Sequence, residues 1–179
     1  RHLLRLRALQ MRTGGFTELV PLPFVHMEAP IYLKGRARMG PTYREALLMH
    51  AVARLVLHPH ITNIQTSWVK MGRDGIRAAL NAGVNDLGGT LMNETITRAA
   101  GSEHGQELPP HAMEALIRDM GRNPVQRTTS YGKPPERQVQ ASFQAAPLEE
   151  VVNNPARKYE RDSDRQPLIR PGLESTGGD

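Results

Sequence analysis

The chain has 179 residues, 39% hydrophobic and 23% charged, a length that fits one domain or a piece of a larger one. No apolar run approaches the roughly 18 residues of a membrane-spanning helix, and the first residues lack the apolar core of a signal peptide, so we exclude an integral membrane protein and expect a cytoplasmic one. The charge of +5 is scattered with few aromatic residues, which argues against nucleic-acid binding, and the absence of cysteine excludes disulfides and thiolate ligands.

The N-terminal part is predicted to contain the end of a helix and one short strand. Leucine and arginine interleave from Arg1 onward, and Gly14-Gly15 ends the helix. Because this helix is already under way at Arg1, we expect an N-terminal part of the protein to be missing. Residues 17–20 (Thr-Glu-Leu-Val) then form a strand, which ends because Pro21 cannot donate a ladder hydrogen bond.

The middle of the chain is predicted to contain two helices on either side of a buried strand. The first helix runs from Thr42 to Leu57, the strand from Ile61 to Val69, and the second helix from about Arg73 to Asn81. The first helix has a wide apolar surface, and the residues predicted to lie outside that surface are Arg44, His50, Arg54 and His58.

Two more strands, at 84–87 and 125–129, flank a helix at 111–120. Alternating strands and helices predict right-handed crossovers and a parallel sheet. Four such units make about half of a (β/α)8 barrel, which typically has about 250 residues. We therefore predict an α/β fold with half a barrel over residues 1–132, and a proline-rich, disordered tail over residues 133–179.

Functional residues of such barrels lie at the carboxyl ends of the strands and in the loops that follow them. This rule selects candidates after each of the four predicted strands. They are His26 and Glu28; Gln65, Ser67 and Trp68; Asn85, Asp86, Gly88, Gly89 and Thr90; and Thr129 and Tyr131.

Asn85 and Asp86 are the most informative, because a polar pair in a buried strand must be hydrogen-bonded or used. They point in opposite directions, so only one faces the interior of the barrel; alternatively, Asp86 caps a neighbouring helix. The backbone of residues 88–90 fits a bound anion or carboxylate, although two glycines are also an ordinary turn. His26 with Glu28 is an acid–base candidate, and Asp86 is the third candidate catalytic residue.

Several other patterns favour structural interpretations. Trp68 is more typical of a core residue than of a substrate platform. His50, His58 and His60 fit a solvated helix face better than a metal site, since a carboxylate ligand is missing. Neither a P-loop, a dinucleotide-binding glycine motif nor a serine nucleophile elbow occurs in the sequence.

Longer strings of residues resemble the FO synthase family. They are residues 14–35 (GGFTELVPLPFVHMEAPIYLKG), 63–72 (NIQTSWVKMG) and 83–94 (GVNDLGGTLMNE), followed by Arg-Ala-Ala-Gly at 98–101 and His104-Gly105-Gln106. The match is to the tyrosine-coupling half of that enzyme and covers about residues 1–132.

The resemblance implies a radical S-adenosylmethionine enzyme with a 4Fe-4S cluster. Such an enzyme joins a hydroxybenzyl group from tyrosine to 5-amino-6-(D-ribitylamino)uracil, in the biosynthesis of the deazaflavin coenzyme F420. It also implies that Gln65, Ser67, Asn85, Asp86 and residues 88–90 line the substrate and S-adenosylmethionine cavity, with His26 and Glu28 nearby.

The chain departs from the family pattern in one respect, because the cluster is held there by three cysteines of a CxxxCxxC loop. We expect the cluster-binding half of the barrel to lie upstream, and this chain alone to be inactive. The alternatives are a fragment of a related menaquinone-pathway cyclase and a non-catalytic, truncated remnant.

Overall fold

The computed structural model describes residues 1–91, 93–105 and 107–146, and these residues are mostly helical. Their helices are α1 (His2–Thr13), α2 (Pro30–Leu33), α3 (Tyr43–Leu57), α4 (Trp68–Asn81), α5 (Ile96–Ala99), α6 (Pro110–Asp119) and α7 (Glu136–Phe143). Met92, Gln106 and most of the expected tail, residues 147–179, lie outside the described residues. The boundary between residues 132 and 133 stays a prediction, and α7 lies just beyond it.

The predicted end of α1 is confirmed. Gly14 adopts a left-handed conformation, with φ of 61°, and its N–H donates to the carbonyl oxygen of Gln10 at 2.8 Å. The side chain of Gln10 donates to the carbonyl oxygens of Phe16 and His60 and accepts from the Phe16 N–H. The end of α1 is thereby joined to the segment that follows it.

The long helix predicted from Thr42 is also confirmed. Thr42 is the N-cap of α3, and its hydroxyl accepts from the Glu45 N–H while the Glu45 carboxylate accepts from the Thr42 N–H. This reciprocal capping box satisfies donors that the first helical turn would leave unpaired. The start of α3 is therefore specified by local sequence.

The prediction that His50 lies on the solvated side of this helix is wrong. His50 is 0% exposed, and its Nδ1 lies 2.7 Å from the carbonyl oxygen of Ala46. Burial lowers the pKa of His50, only partly opposed by that hydrogen bond. Ala46, Ala53 and Leu57 share the buried face with His50, whereas Leu48, Met49, Val52 and Leu55 remain exposed.

Three segments of the chain lie side by side in parallel: residues 17–20, 63–66 and 84–87. Leu19 pairs with Ile64, and Gln65 pairs with Asp86, each as an isolated bridge. The Gln65 N–H donates to Leu19, and the Thr66 N–H donates to Asp86. The predicted order of the first three strands is thus present as short parallel contacts, without extended strands among the described residues.

Two strand predictions need correction. Residues 61–69 do not form one strand, because Trp68 already begins α4. No strand forms at 125–129 in the described part of the chain, where the Thr128 N–H donates instead to the Gly132 carbonyl oxygen. That bond closes a tight turn in which Tyr131 has a positive φ of 62°.

The two faces of the parallel segments differ in chemistry. The bridges place Leu19 and Ile64 on one face, where they meet the apolar core beneath α1, α3 and α4. Because side chains alternate along extended backbone, Glu18, Gln65 and Asp86 project from the other face. Helices α1, α3 and α4 therefore pack on one side of the segments, and the other side is polar.

α4 contains a kink at Gly72, with φ of 66° and ψ of 178°. The ring of His104 lies against this glycine, so close that an added Cβ would be 2.5 Å from the ring Cε1. Within the described residues, no helix is long and apolar enough to cross a membrane.

Candidate functional site at the ends of the parallel segments

Asp86 is the centre of a polar cluster on this polar face. One carboxylate oxygen accepts from the Gly88 N–H at 2.7 Å, and the other accepts from Arg127 Nε at 2.5 Å and from the Tyr131 hydroxyl at 2.6 Å. The Asp86 side chain is only 6% exposed. Both oxygens of this buried carboxylate are therefore occupied by donors from its own chain.

Tyr131 connects Asp86 to the first segment. Its hydroxyl oxygen lies 2.6 Å from a Glu18 carboxylate oxygen, across 113 positions of sequence. Burial, the largest cause, and the hydrogen bonds to Asp86 and Glu18 raise the pKa of Tyr131 far above its ordinary value of 10.0. Tyr131 is thus a neutral phenol held between two carboxylates.

Arg127 and Gln65 complete what we call the polar cluster: Glu18, Gln65, Asp86, Arg127 and Tyr131. Arg127 Nη2 donates to the Gln65 side-chain oxygen at 3.2 Å and lies 3.6 Å from Glu18, while its guanidinium stacks 4.1 Å from the Tyr131 ring centre. Burial alone lowers the pKa of Arg127, but Asp86, with Tyr131 and Glu18, raises it overall. The guanidinium therefore stays charged beside the two carboxylates.

Gly88 is required where Gln65 meets the third segment. Its φ is +73°, and a Cβ there would lie 2.7 Å from the Gln65 side-chain nitrogen. At Gly89 an added Cβ would meet no atom within 4 Å, so the space beside this turn is open. The turn at 88–90 thus closes around Asp86 on one side and leaves room on the other.

Asn85 projects to the opposite side from Asp86. Its side-chain oxygen accepts from the Ile64 N–H at 2.9 Å and from Arg54 Nη2 at 2.6 Å. Arg54, on α3, also donates to the carbonyl oxygens of Gly83 and Thr62. The structure therefore engages Asn85 between the sheet and α3, away from the polar cluster.

Trp68 is part of the core, as predicted, with 6% exposure and its indole N–H donating to the Gly89 carbonyl oxygen at 2.9 Å. Ser67 is the N-cap of α4, although its side chain makes no capping hydrogen bond. Thr90 accepts at its carbonyl oxygen from the Leu108 N–H. Trp68 thus contacts the 88–90 turn, of which Thr90 is a part and in which Gly88 donates to Asp86.

His26 and Glu28 lie in the loop before α2, and their hydrogen bonds and ring contact are to residues outside the polar cluster. His26 Nδ1 accepts from the Gly40 N–H at 3.2 Å, and its ring packs edge-on against Tyr32 at 4.8 Å. The Glu28 N–H donates to the carbonyl oxygen of Ala100. Of the predicted site residues, Gln65, Asp86 and Tyr131 meet in the polar cluster. The contacts of His26 and Glu28 do not join them to it.

Glu18 and Arg127 were not among the sequence-based candidates. A signal for both existed, because each is a charged residue within a predicted, half-buried strand and therefore needs a partner. The arrangement they complete has two carboxylates, one guanidinium, one phenol and one amide at neighbouring segment ends. Such a set can orient a polar substrate through hydrogen bonds and hold charge near it.

Comparison with known proteins identifies relatives of this chain. A family model described as the CofH/MqnC C-terminal region matches residues 13–140. FO synthases of Mycobacterium leprae and Streptomyces coelicolor are 56% and 53% identical over 130 and 141 residues, covering 73% and 79% of this chain. A 5-amino-6-(D-ribitylamino)uracil--L-tyrosine 4-hydroxyphenyl transferase of Methanopyrus kandleri is 55% identical over 130 residues, or 73% of this chain.

The chain spans only part of these relatives, namely 15% and 16% of the two FO synthases and 35% of the Methanopyrus protein. The resemblance to FO synthase seen in the sequence is confirmed by these identities. Since the family model matches well over half of its residues, the chain belongs to the CofH/MqnC C-terminal region family.

Proposed function

We propose that this chain is the C-terminal part of an FO synthase and forms one side of its coupling cavity. In that enzyme a hydroxybenzyl group from tyrosine is joined to 5-amino-6-(D-ribitylamino)uracil. The observation that carries this proposal is the polar cluster, in which side chains from three parallel segments and a following turn meet on the polar face. The names of the relatives supply the substrates.

The proposed architecture is half of a (β/α)8 barrel. Sequential parallel segments with α1, α3 and α4 packed on one face support it, because a barrel has helices outside and functional side chains at the carboxyl ends of its strands. The remaining strands would come from the part of the enzyme outside this chain. Alone, the chain would expose an open sheet edge, and we propose that it has no coupling activity by itself.

The residues of this chain do not fit a 4Fe-4S cluster, because there is no cysteine to hold it. We therefore assign cluster binding to the part of the enzyme outside this chain. The open space beside Gly89 fits a ligand near residues 88–90, and these residues with Gln65 and Ser67 are proposed to contact S-adenosylmethionine or substrate. Their role is to bind and orient the reactants.

Asp86 is best explained as a positioning residue. Both of its oxygens are taken by Gly88, Arg127 and Tyr131, so it holds the turn after the third segment in place. Glu18 is more accessible, with a side chain that is 30% exposed. His26 and Glu28 are still proposed to carry out acid–base chemistry. Asn85 is proposed to act indirectly, by supporting the third parallel segment.

The proposal can be tested with a chimera in which residues 1–146 replace the matching portion of the Streptomyces coelicolor FO synthase. Formation of the deazaflavin product from tyrosine and ribitylaminouracil is measured under anaerobic conditions. The chimera should be active, while this chain alone should not. A folded chimera that carries its cluster but makes no product would contradict the function.

Asp86→Asn in the chimera tests the role of the polar cluster. Loss of the charge that holds Arg127 and Tyr131 should lower turnover about 10- to 100-fold, because small displacements of reacting groups are costly. Asp74→Asn is the matched control, since the Asp74 side chain is 97% exposed and its pair with Arg77 lies on the surface. Equal turnover of both variants would remove Asp86 from the site.

A menaquinone-pathway cyclase is a second candidate, because the family model also names MqnC. The relatives named FO synthase favour the first candidate. The same product assay separates them, since only the first forms the deazaflavin. A truncated remnant would give an inactive chimera.

A further inference from the structure

An apolar groove of about 1080 Å³ lies on the side of α3 next to its packed face. We call it the α1–α3 groove; it is bounded by the N-terminal end of α1, the outer face of α3 and the loops at 21–24 and 36–41. Large side chains in it are 43% to 64% exposed: Leu4, Leu22, Met39, Leu48, Met49 and Val52.

The groove makes α3 apolar on two sides. One side, with Ala53 and Leu57, is fully buried in the core, while Leu48, Met49 and Val52 face the groove. A helix whose apolar surface extends beyond its buried face is typical of an element that a further layer covers. Exposed apolar surface concentrated in one place is also typical of an interaction site.

We infer that the α1–α3 groove is the surface on which the preceding part of an FO synthase packs. This inference rests on the proposed function. The family model is that of a C-terminal region, and most of the length of the Methanopyrus relative lies outside the matched part. The groove also begins at Pro21, two residues after Leu19. Leu19 pairs with Ile64 on one edge of its segment, and the other edge has no strand partner among the described residues.

Charge indicates the chemistry of the occupant. The groove is lined by Arg1, Arg36 and Arg38, against the single acidic residue Glu45, which is engaged in the capping box of α3. A surface with an apolar centre and acidic rim would complement it. A second copy of this chain would instead bring arginines together around the same groove, which disfavours self-association.

Methionine oxidation in the chimera described above gives the test. Met39 and Met49 line the groove, whereas Met11 lies outside it and is 61% exposed in α1. In the isolated 179-residue chain, hydrogen peroxide should oxidise all three. In the chimera, oxidation of Met39 and Met49 should be at least about 10-fold slower, while Met11 stays reactive.

Equal oxidation rates of Met39 and Met49 in chimera and chain would overturn the inference. Protection in the isolated chain that grows with protein concentration would assign the groove to a second copy and would overturn it too. The activity assay is a separate readout: protection without product contradicts the function only, and product without protection contradicts the groove only.

A pair of substitutions on α3 gives a second measurement. Val52→Asp should lower the melting temperature of the chimera by several degrees and leave that of the isolated chain nearly unchanged, because only the chimera covers Val52. Leu55→Asp is the control, since Leu55 is 80% exposed and does not line the groove. Equal shifts for both variants, in a chimera whose unsubstituted parent folds, would count against the groove.

Discussion

Tyr131 shows how one residue connects the two ends of the described chain. Its positive φ of 62° is unfavourable for a residue with a side chain, by about 1 to 2 kcal/mol. The conformation is held by the Gly132 turn, by the stacked guanidinium of Arg127 and by hydrogen bonds to Glu18 and Asp86. Removing the hydroxyl alone should therefore weaken this connection while keeping the ring.

We expect Tyr131→Phe to destabilise the chain by about 1 to 3 kcal/mol near neutral pH, since a buried hydrogen bond to charged groups is lost. The folded pKa of Tyr131 is raised above its unfolded value of 10.0, so its contribution is complete below about pH 10 and falls as pH rises above it. The difference in the free energy of unfolding between variant and parent should therefore shrink above about pH 10.

Urea unfolding of parent and variant between pH 7 and about pH 11 measures both effects. Tyr43→Phe is the control, because Tyr43 is 54% exposed on α3. A constant difference between parent and Tyr131→Phe across this range would show that the phenol ionises alike in both states.

At the scale of elements, α4 depends on the conformation of Gly72. A side chain at this position would require a φ and ψ combination that is almost confined to glycine, and its Cβ would overlap the His104 ring. The kink separates the first turn, with Trp68, from the longer part of the helix. It thereby sets where the helix meets the 88–90 turn.

Gly72→Ala should lower the free energy of unfolding by about 2 to 4 kcal/mol, because backbone strain and a steric overlap with His104 add together. Gly89→Ala is the matched control, since its Cβ would meet nothing within 4 Å and its φ is not left-handed. Thermal unfolding of both variants distinguishes them. Similar melting temperatures would mean that the kink can relax without cost.

Helix boundaries were predictable where short-range chemistry fixes them. The capping box at Thr42 and the glycine after α1 act within a few residues, and both appear as expected. The exposure of His50 was not predictable, because it depends on which side of α3 the other helices pack against. The strand at 61–69 was overextended because the hydrophobic run continues into α4.

At the scale of the molecule, the sequence indicated the place of the candidate site better than its members. Polar residues were expected to meet at the ends of parallel segments, and Gln65, Asp86 and Tyr131 do so. Glu18 and Arg127 reach Tyr131 and Asp86, respectively, through hydrogen bonds between positions more than 40 apart in sequence. Such pairings depend on the fold and are not visible in local patterns.

The three parallel segments make a small sheet, and its extent can be measured in the isolated chain. The middle segment is hydrogen-bonded to both neighbours. The amides of Gln65 and Thr66, which donate to those neighbours, and of Asn85, which donates to Ile64, should therefore exchange slowly with solvent. Residues 125–127 were predicted to extend this sheet, but Val125 is 78% exposed and no strand forms there in the described chain. Their amides should therefore exchange at rates typical of a loop.

Native-state hydrogen exchange followed by NMR tests this difference, with the buried helical residue Ala53 as a protected reference. We expect the amides of Gln126 and Arg127 to exchange at least about 100-fold faster than that of Thr66, which corresponds to roughly 2.7 kcal/mol of opening free energy. Equal protection would mean that a fourth strand pairs with the third segment in solution. Arg127 would then be held at Asp86 by the sheet backbone, whereas the structure holds it there through its side chain alone.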